Sequence, residues 1–297
     1  MPSDQGKPQP ALILSYPGYS GPAQRLAEKT GLPCHEIDIH YFPDCESRVR
    51  LPESLPQRVI FFCSLDNPNY KLVELALAAA TAREMGASQL TLVAPYLCYM
   101  RQDKAFHPGE AVSQAVIGGL LGDWFDEVIT VDPHLHRVHE FSQAVPARRS
   151  ISLSATDPMA EHLASHCENP LLLGPDEESE QWVASVAAKQ GLDYVVGSKQ
   201  RLGDSEVRIS LPKFDGKGRH IVILDDMAST GRTLEAAVLA TASYEPASVS
   251  VLVTHALFMD GAHKRLQHIG VQQIWSTDSI PHSTNAIPLA GLLADAL

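Results

Sequence analysis

The chain has 297 residues, 44% hydrophobic and 20% charged, with a formal net charge of −12. That length accommodates two domains of ordinary size, and the acid excess excludes a general binder of nucleic acid or membrane. No run approaches the roughly 20 apolar residues of a membrane span, the first residues lack a basic region followed by an apolar signal core, and the odd set Cys34, Cys45, Cys63, Cys98 and Cys167 has no Cys-x-x-Cys spacing, so a reducing cytoplasm is expected.

In chain order, Ala11–Ser15 reads as a first strand, followed by a Pro/Gly turn and a helix opening near Pro22. Cys34–Tyr41 alternates as an exposed strand would, and Val59–Cys63 is a buried one. An Ala-rich helix begins at Asn69, and Leu90–Ala94 is the next strand. Ala111–Leu121 reads as a helix whose Gly118, Gly119 and Gly122 fit close packing rather than a dinucleotide loop. Val128–Asp132 is a further strand, and the pattern then lapses around Ala144–Arg149. Strands are next expected at Pro170–Gly174, Tyr194–Gly197, Glu206–Ser210, Ile221–Leu224, Val249–Thr254 and Gln273–Trp275, with a last helix over Ile287–Ala296. Alternating strands and helices predict parallel sheets covered on both faces.

The stretch that organises this pattern runs from Arg219 to Thr233. Its apolar run Ile221–Leu224 ends in Asp225 and Asp226, and Ser229, Thr230 and Gly231 precede a helix. Backbone N–H groups at such a turn, at a helix N-terminus, make an anion site. Two aspartates beside it suit sugar hydroxyls or a magnesium ion, so a phosphorylated ribose satisfies both ends. Further segments carry candidate chemistry: Phe42-Pro43-Asp44-Cys45-Glu46, Arg101-Gln102-Asp103-Lys104, Asp132-Pro133-His134, Asp176 after an apolar run, and Lys199-Gln200-Arg201. No Gly-x-x-x-x-Gly-Lys-Ser/Thr loop is present. His134, His136 and His139 would also allow a zinc reading, but Leu135 and Arg137 interleave them and no cysteine is near.

Together and in this order, these segments resemble the ribose-phosphate diphosphokinases (phosphoribosyl pyrophosphate synthetases), most closely archaeal-type members, over about Phe42 to Leu297. The resemblance implies an α/β fold of two phosphoribosyltransferase type I-like domains, each a mostly parallel sheet flanked by helices. Residues 1–146 would carry the ATP and metal motifs, and residues 147–297 the ribose 5-phosphate and catalytic loops. It also implies magnesium-dependent transfer of diphosphate from ATP to the anomeric hydroxyl of ribose 5-phosphate, in a cytoplasmic homo-oligomer with no nucleic-acid or membrane partner. Carried over residue by residue, Phe42, Asp44, Glu46, Arg101, Gln102 and Lys104 would bind ATP. Arg201, Asp225, Asp226, Ser229, Thr230, Gly231, Arg232 and Thr233 would bind ribose 5-phosphate, His134 and Asp176 the metal, and Lys199 and Arg201 would act in catalysis. The chain departs from the family pattern at Cys45 and Arg232, where Gly is usual, and at Glu177-Glu178, where a Gly-rich pair is usual. A nucleobase phosphoribosyltransferase and a catalytically silent regulatory homologue are the alternatives. The retained ATP-type segments count against the first, and Lys199, Arg201, His134 and Asp176 against the second.

Overall fold

A computed structural model describes residues 10–135, 137–138, 140–201 and 207–297, with Arg201 and Val207 described by their backbone alone. His136, His139 and the segment 202–206 lie outside the described residues. The chain divides into two compact units, one of residues 1–153 with 290–297, the other of residues 154–289.

In the first unit the elements are β1 (Ala11–Ser15), α1 (Ser20–Thr30), β2 (Cys34–Glu36), β3 (Asp38–Tyr41), β4 (Ser47–Arg50), β5 (Arg58–Phe62) and α2 (Pro68–Glu84). There follow β6 (Gln89–Ala94), α3 (Ser113–Trp124), β7 (Glu127–Val131), α4 (Phe141–Ala144) and β8 (Arg149–Leu153). The sheet order is β2-β1-β5-β6-β7-β8, with every pair parallel. β5, β6 and β7 are apolar and buried along nearly their whole length, as strands covered on both faces must be. The expected single strand over Cys34–Tyr41 is in fact two. β2 joins the parallel sheet, whereas β3 turns away to pair antiparallel with β4.

The strand β8 falls where the sequence pattern lapses. It is an edge strand, paired only with β7 among the described residues, and its residues Arg149-Ser150-Ile151-Ser152-Leu153 are half-buried or exposed. The helix glycines divide. A Cβ on Gly118 would lie 1.7 Å from the Ala144 carbonyl oxygen and one on Gly122 would lie 2.9 Å from Pro146, while Gly119 has open space. Close packing therefore accounts for Gly118 and Gly122 alone.

In the second unit α5 (Thr156–His166) leads to β9 (Leu171–Gly174), α6 (Glu180–Gln190), β10 (Tyr194–Val196), β11 (Ser198–Arg201) and β12 (Val207–Ser210). Then come β13 (His220–Ala228), α7 (Arg232–Thr241), β14 (Ser248–Ala256), α8 (Ala262–His268), β15 (Ile274–Thr277) and β16 (Asn285–Ile287), and the short helix α9 (Ala290–Ala294) returns to the first unit. This sheet, β10-β9-β13-β14-β15-β16, is again parallel throughout. Leu171, Leu173, Ile221, Ile223, Val249, Val251 and Val253 pack one face against α7 and α8 residues Leu234, Val238, Ala262 and Leu266.

The two units repeat one plan. Each has a strand, a helix and an outer strand, then an antiparallel hairpin, then the strand on the opposite side of the first. The order reverses between β1 and β5, and again between β9 and β13. Open parallel sheets bind ligands beyond the carboxyl ends of strands at such a switch point.

Candidate active site

β13 continues past its apolar run. Asp225, Met227 and Ala228 stay in register with Val253, His255 and Ala256 of β14, so the acid pair ends a strand rather than opening a loop. Asp226 is buried and Asp225 half-buried. The Asp226 backbone N–H donates to Asp225 Oδ1 at 3.0 Å. Beyond Ala228 the chain turns at Ser229-Thr230-Gly231 and enters α7 at Arg232. Gly231 has φ 74°, and a Cβ there would lie 2.8 Å from the Ala262 Cβ, so both conformation and space require glycine. The carbonyls of this turn face backwards. Phe258 N–H donates to Ala228 O at 2.8 Å and Met259 N–H to Ser229 O at 2.9 Å. Among the described residues, no acceptor takes the backbone N–H groups of Thr230, Gly231, Arg232 and Thr233. Arg232 does not lean into this concavity, because its guanidinium lies 3.5 Å from Glu235.

At the end of the neighbouring strand β9, Asp176 caps the short turn Glu177–Ser179. Its Oδ1 accepts from the Ser179 N–H at 3.2 Å, and the Ser179 hydroxyl donates back to the Asp176 carbonyl at 2.5 Å. Its other oxygen, Oδ2, accepts from Lys199 Nζ at 2.8 Å. Lys199 sits on β11, in register with Ile209 of β12, and Arg201 ends the strand opposite Val207. These two bases thus stand on a strand of a hairpin, just beyond the strand expected at Tyr194–Gly197.

The acids form one electrostatic unit. Burial pushes the Asp225 carboxyl well above the ordinary carboxylate range, and the Asp226 and Asp176 carboxylates push the same way. The Asp226 N–H and the Lys199 ammonium oppose them. A hard, oxygen-preferring cation would relieve that crowding, so the donor set fits magnesium. Among the described residues no three His, Cys, Asp or Glu side chains form a ready cage. Magnesium would therefore rest on one or two carboxylates, completed by phosphate oxygens and water.

The ATP-type residues form two further groups, both in the first unit. Phe42, Asp44 and Glu46 sit at the exposed tip of the β3–β4 hairpin, where Phe42 N–H donates to Glu46 O at 2.8 Å. The Phe42 ring is 43% exposed and meets His40 edge-on at 5.0 Å. Cys45 adopts φ 71°, the left-handed conformation that glycine takes without cost. Arg101, Gln102 and Lys104 lie in the connection between β6 and α3, with Lys104 Nζ 4.7 Å above the Phe106 ring. His134 is half-buried just beyond β7. An ion pair joins its loop to the Arg101–Lys104 loop, since Arg137 Nη1 donates to the buried Asp103 Oδ1 at 2.7 Å.

A family model described as the N-terminal domain of ribose phosphate pyrophosphokinase matches residues 12–123, and one described as a phosphoribosyl transferase domain matches residues 153–286. A ribose-phosphate pyrophosphokinase of Methanopyrus kandleri is 32% identical over 277 residues, covering 92% of this chain and 94% of that one. The chain belongs to the ribose-phosphate pyrophosphokinase family.

A second relative of that name, from Halobacterium salinarum, is 31% identical and covers 96% of this chain and 100% of its own. The fold is shared with the crystal structure of phosphoribosylpyrophosphate synthetase from Mycobacterium smegmatis, at TM-score 0.82 and 22% identity, over 96% of this chain and 97% of that one. As in the sequence reading, no helix among the described residues is long and apolar enough to cross a membrane. Two residues that tie candidate loops within their own units went unremarked in sequence. Asp103 stands inside a motif but its partner is remote, and Arg265 lies on α8, far in sequence from the loop it touches.

Proposed function

We propose that the protein transfers the β,γ-diphosphate of ATP to the anomeric hydroxyl of ribose 5-phosphate, giving AMP and phosphoribosyl diphosphate. The observation that carries this reading is the end of β13: an acid pair followed by a turn whose carbonyls are tied back while the N–H groups of Thr230–Thr233 are left to a ligand. Ser229, Thr230, Gly231, Arg232 and Thr233 hold the 5-phosphate, and Asp225 and Asp226 accept hydrogen bonds from the ribose hydroxyls. Family membership supports ATP as the second substrate. Phe42 then stacks on adenine, Asp44 and Glu46 accept from its amine, and Arg101, Gln102 and Lys104 meet the phosphates.

In the reaction the sugar oxygen bonds to the β-phosphorus as the bond from that phosphorus to the AMP oxygen breaks. Charge grows on the transferring group and on the departing oxygen, so catalysis is chiefly positioning and charge stabilisation. Lys199 and Arg201, two positions apart along β11, supply that charge. His134 in the first unit and Asp176 in the second are each a residue that would hold magnesium, and the metal would supply neutralisation of phosphate charge. A cytoplasmic homo-oligomer is the assembly consistent with this family.

Phosphorus NMR of the purified protein with ATP, magnesium and ribose 5-phosphate tests the proposal. AMP and phosphoribosyl diphosphate are expected to appear together. Formation of ADP would mean that a single phosphoryl group moves, and the assignment would be lost.

A further inference from the structure

The ribose-phosphate turn presents N–H groups only if its carbonyls are held elsewhere. Successive carbonyls from Ala228 to Thr230 each have a fixed donor: the Phe258 N–H at 2.8 Å, the Met259 N–H at 2.9 Å, and Arg265 Nη2 at 2.6 Å. The first two donors are backbone and any sequence supplies them. The third is a side chain. Arg265 uses the rest of its guanidinium in the same place, Nε donating to Glu235 Oε1 of α7 at 2.7 Å and Nη1 to the Asp260 carbonyl. One planar fork therefore joins the turn, the helix that follows it and the segment that backs it.

The backing segment is itself under strain. Phe258 and Asp260 both have left-handed backbone, with φ 40° and 53°. Such conformations in residues other than glycine persist only where surrounding contacts over-determine them. The Asp260 carbonyl bond to Arg265 is one such contact, and the Phe258 and Met259 N–H bonds to the turn are others.

We infer that Arg265 is a positioning residue for ribose 5-phosphate: it fixes the Thr230 carbonyl, and with it the peptide plane whose other face gives the Gly231 N–H to the phosphate. It touches the turn from behind and acts on the substrate only through it. The inference rests on the reading of Ser229–Thr233 as the phosphate turn. It differs from a general stabilising role because the effect falls on one substrate.

Calorimetric titration of the full chain with ribose 5-phosphate, and separately with ATP, tests it on Arg265→Met, Arg265→Lys, Glu235→Gln and Thr230→Val. Arg265→Met should weaken ribose 5-phosphate by about tenfold or more, the scale of one lost charged hydrogen bond, and leave ATP within about twofold. Arg265→Lys, which keeps the charge but cannot reach three acceptors at once, should fall between it and the native protein. Glu235→Gln, which leaves the bond to Thr230 in place, should cost less than Arg265→Met. Equal loss of both ligands in the Arg265 variants, or a Glu235→Gln loss as large as that of Arg265→Met, overturns the inference. If Thr230→Val alone weakens ribose 5-phosphate, Arg265 is not a positioning residue and the turn keeps its role. If neither Thr230→Val nor the Arg265 variants affect ribose 5-phosphate, the turn itself has been misassigned. Should Arg265→Met not fold, Arg265→Lys and Glu235→Gln decide by the same comparison.

Discussion

Lys199 and Asp176 hold each other at 2.8 Å, with side chains only 18% and 10% exposed, before any substrate is considered. A lysine so placed is already aimed at the acid cluster, and a phosphate oxygen arriving there competes for it. Removing one preorganised donor to a developing charge costs about 10²–10³ in turnover. Lys199→Ala should therefore lower kcat by about that factor and change the KM of either substrate little. Steady-state kinetics with each substrate varied in turn would show it, and a variant that kept kcat and lost only affinity would make Lys199 a substrate clamp. Asp225→Ala and Thr230→Val should act on binding instead. On the proposed assignment each removes a hydrogen-bonding partner of the sugar phosphate and should weaken it by about 1–3 kcal/mol. Both variants should leave ATP largely unaffected in calorimetry, and equal losses would assign the loop to the wrong ligand. These residues are readable in sequence because strand, acid pair and turn are contiguous. Arg265 is not, because only the packing of α8 on the turn brings it there.

Helix α2 raises a question at the scale of the element. It turns Leu72, Leu75, Ala78, Ala79 and Ala82 inward, and Glu74 with them, only 1% exposed. Both carboxylate oxygens are buried without a hydrogen-bond partner among the described residues. Burial pushes this carboxyl up to about 7, against an ordinary 4.5. The folded chain then keeps the proton over a range in which the unfolded chain has released it. Stability contributed by Glu74 should fall as pH rises from 4.5 to about 7. Glu74→Gln removes that dependence and should be more stable than the native protein at about pH 8, with little difference at about pH 5. Urea midpoints at the two values would test this, and an equal offset at both would exclude ionisation as its cause. The same scale shows what the residue pattern conveys. Fully buried strands such as β5, β6 and β14 announce themselves as apolar runs, because both faces need covering. β8 and the three-residue β16 do not, being a half-exposed edge and a fragment whose strand character comes from its neighbour. The extension of β13 through Asp225–Ala228 is equally hidden, since pairing with β14, not local preference, keeps those acids extended.

Over the whole molecule, one chain plan is used twice and its switch point is spent differently each time. Beyond β9 and β13 the crevice is lined by Asp176, Asp225 and a turn with N–H groups to spare. Beyond β1 and β5 the equivalent place is filled from within. Lys71 of α2 is buried there, its ammonium 2.6 Å from the Tyr19 hydroxyl, 3.0 Å from the Ser64 carbonyl and 3.0 Å from Asp66 Oδ1. Tyr19 in turn donates to the same Asp66 oxygen. Burial, then the Asp66 charge, push the Tyr19 hydroxyl far above its usual range, so it remains protonated and can go on donating. Sequence self-similarity between the halves is too weak to mark a repeat, although the topology is kept. An internal cation at one switch point and the external ligand proposed at the other lead to a contrast in behaviour. Lys71→Met removes the charge but keeps most of the volume, leaving the Asp66 carboxylate and the Ser64 carbonyl short of a donor. Breaking a buried pair from one side costs about 3–5 kcal/mol, so the unfolding free energy should drop by about that amount. The affinity of the surviving folded protein for ribose 5-phosphate should not change, since the other crevice is the one proposed to bind that ligand. Denaturant unfolding gives the first quantity and calorimetry below the transition gives the second. A loss of less than about 1 kcal/mol would show that Lys71 is not the ligand its crevice is built around, and a matching loss of ribose 5-phosphate affinity would place the sugar phosphate at the wrong switch point.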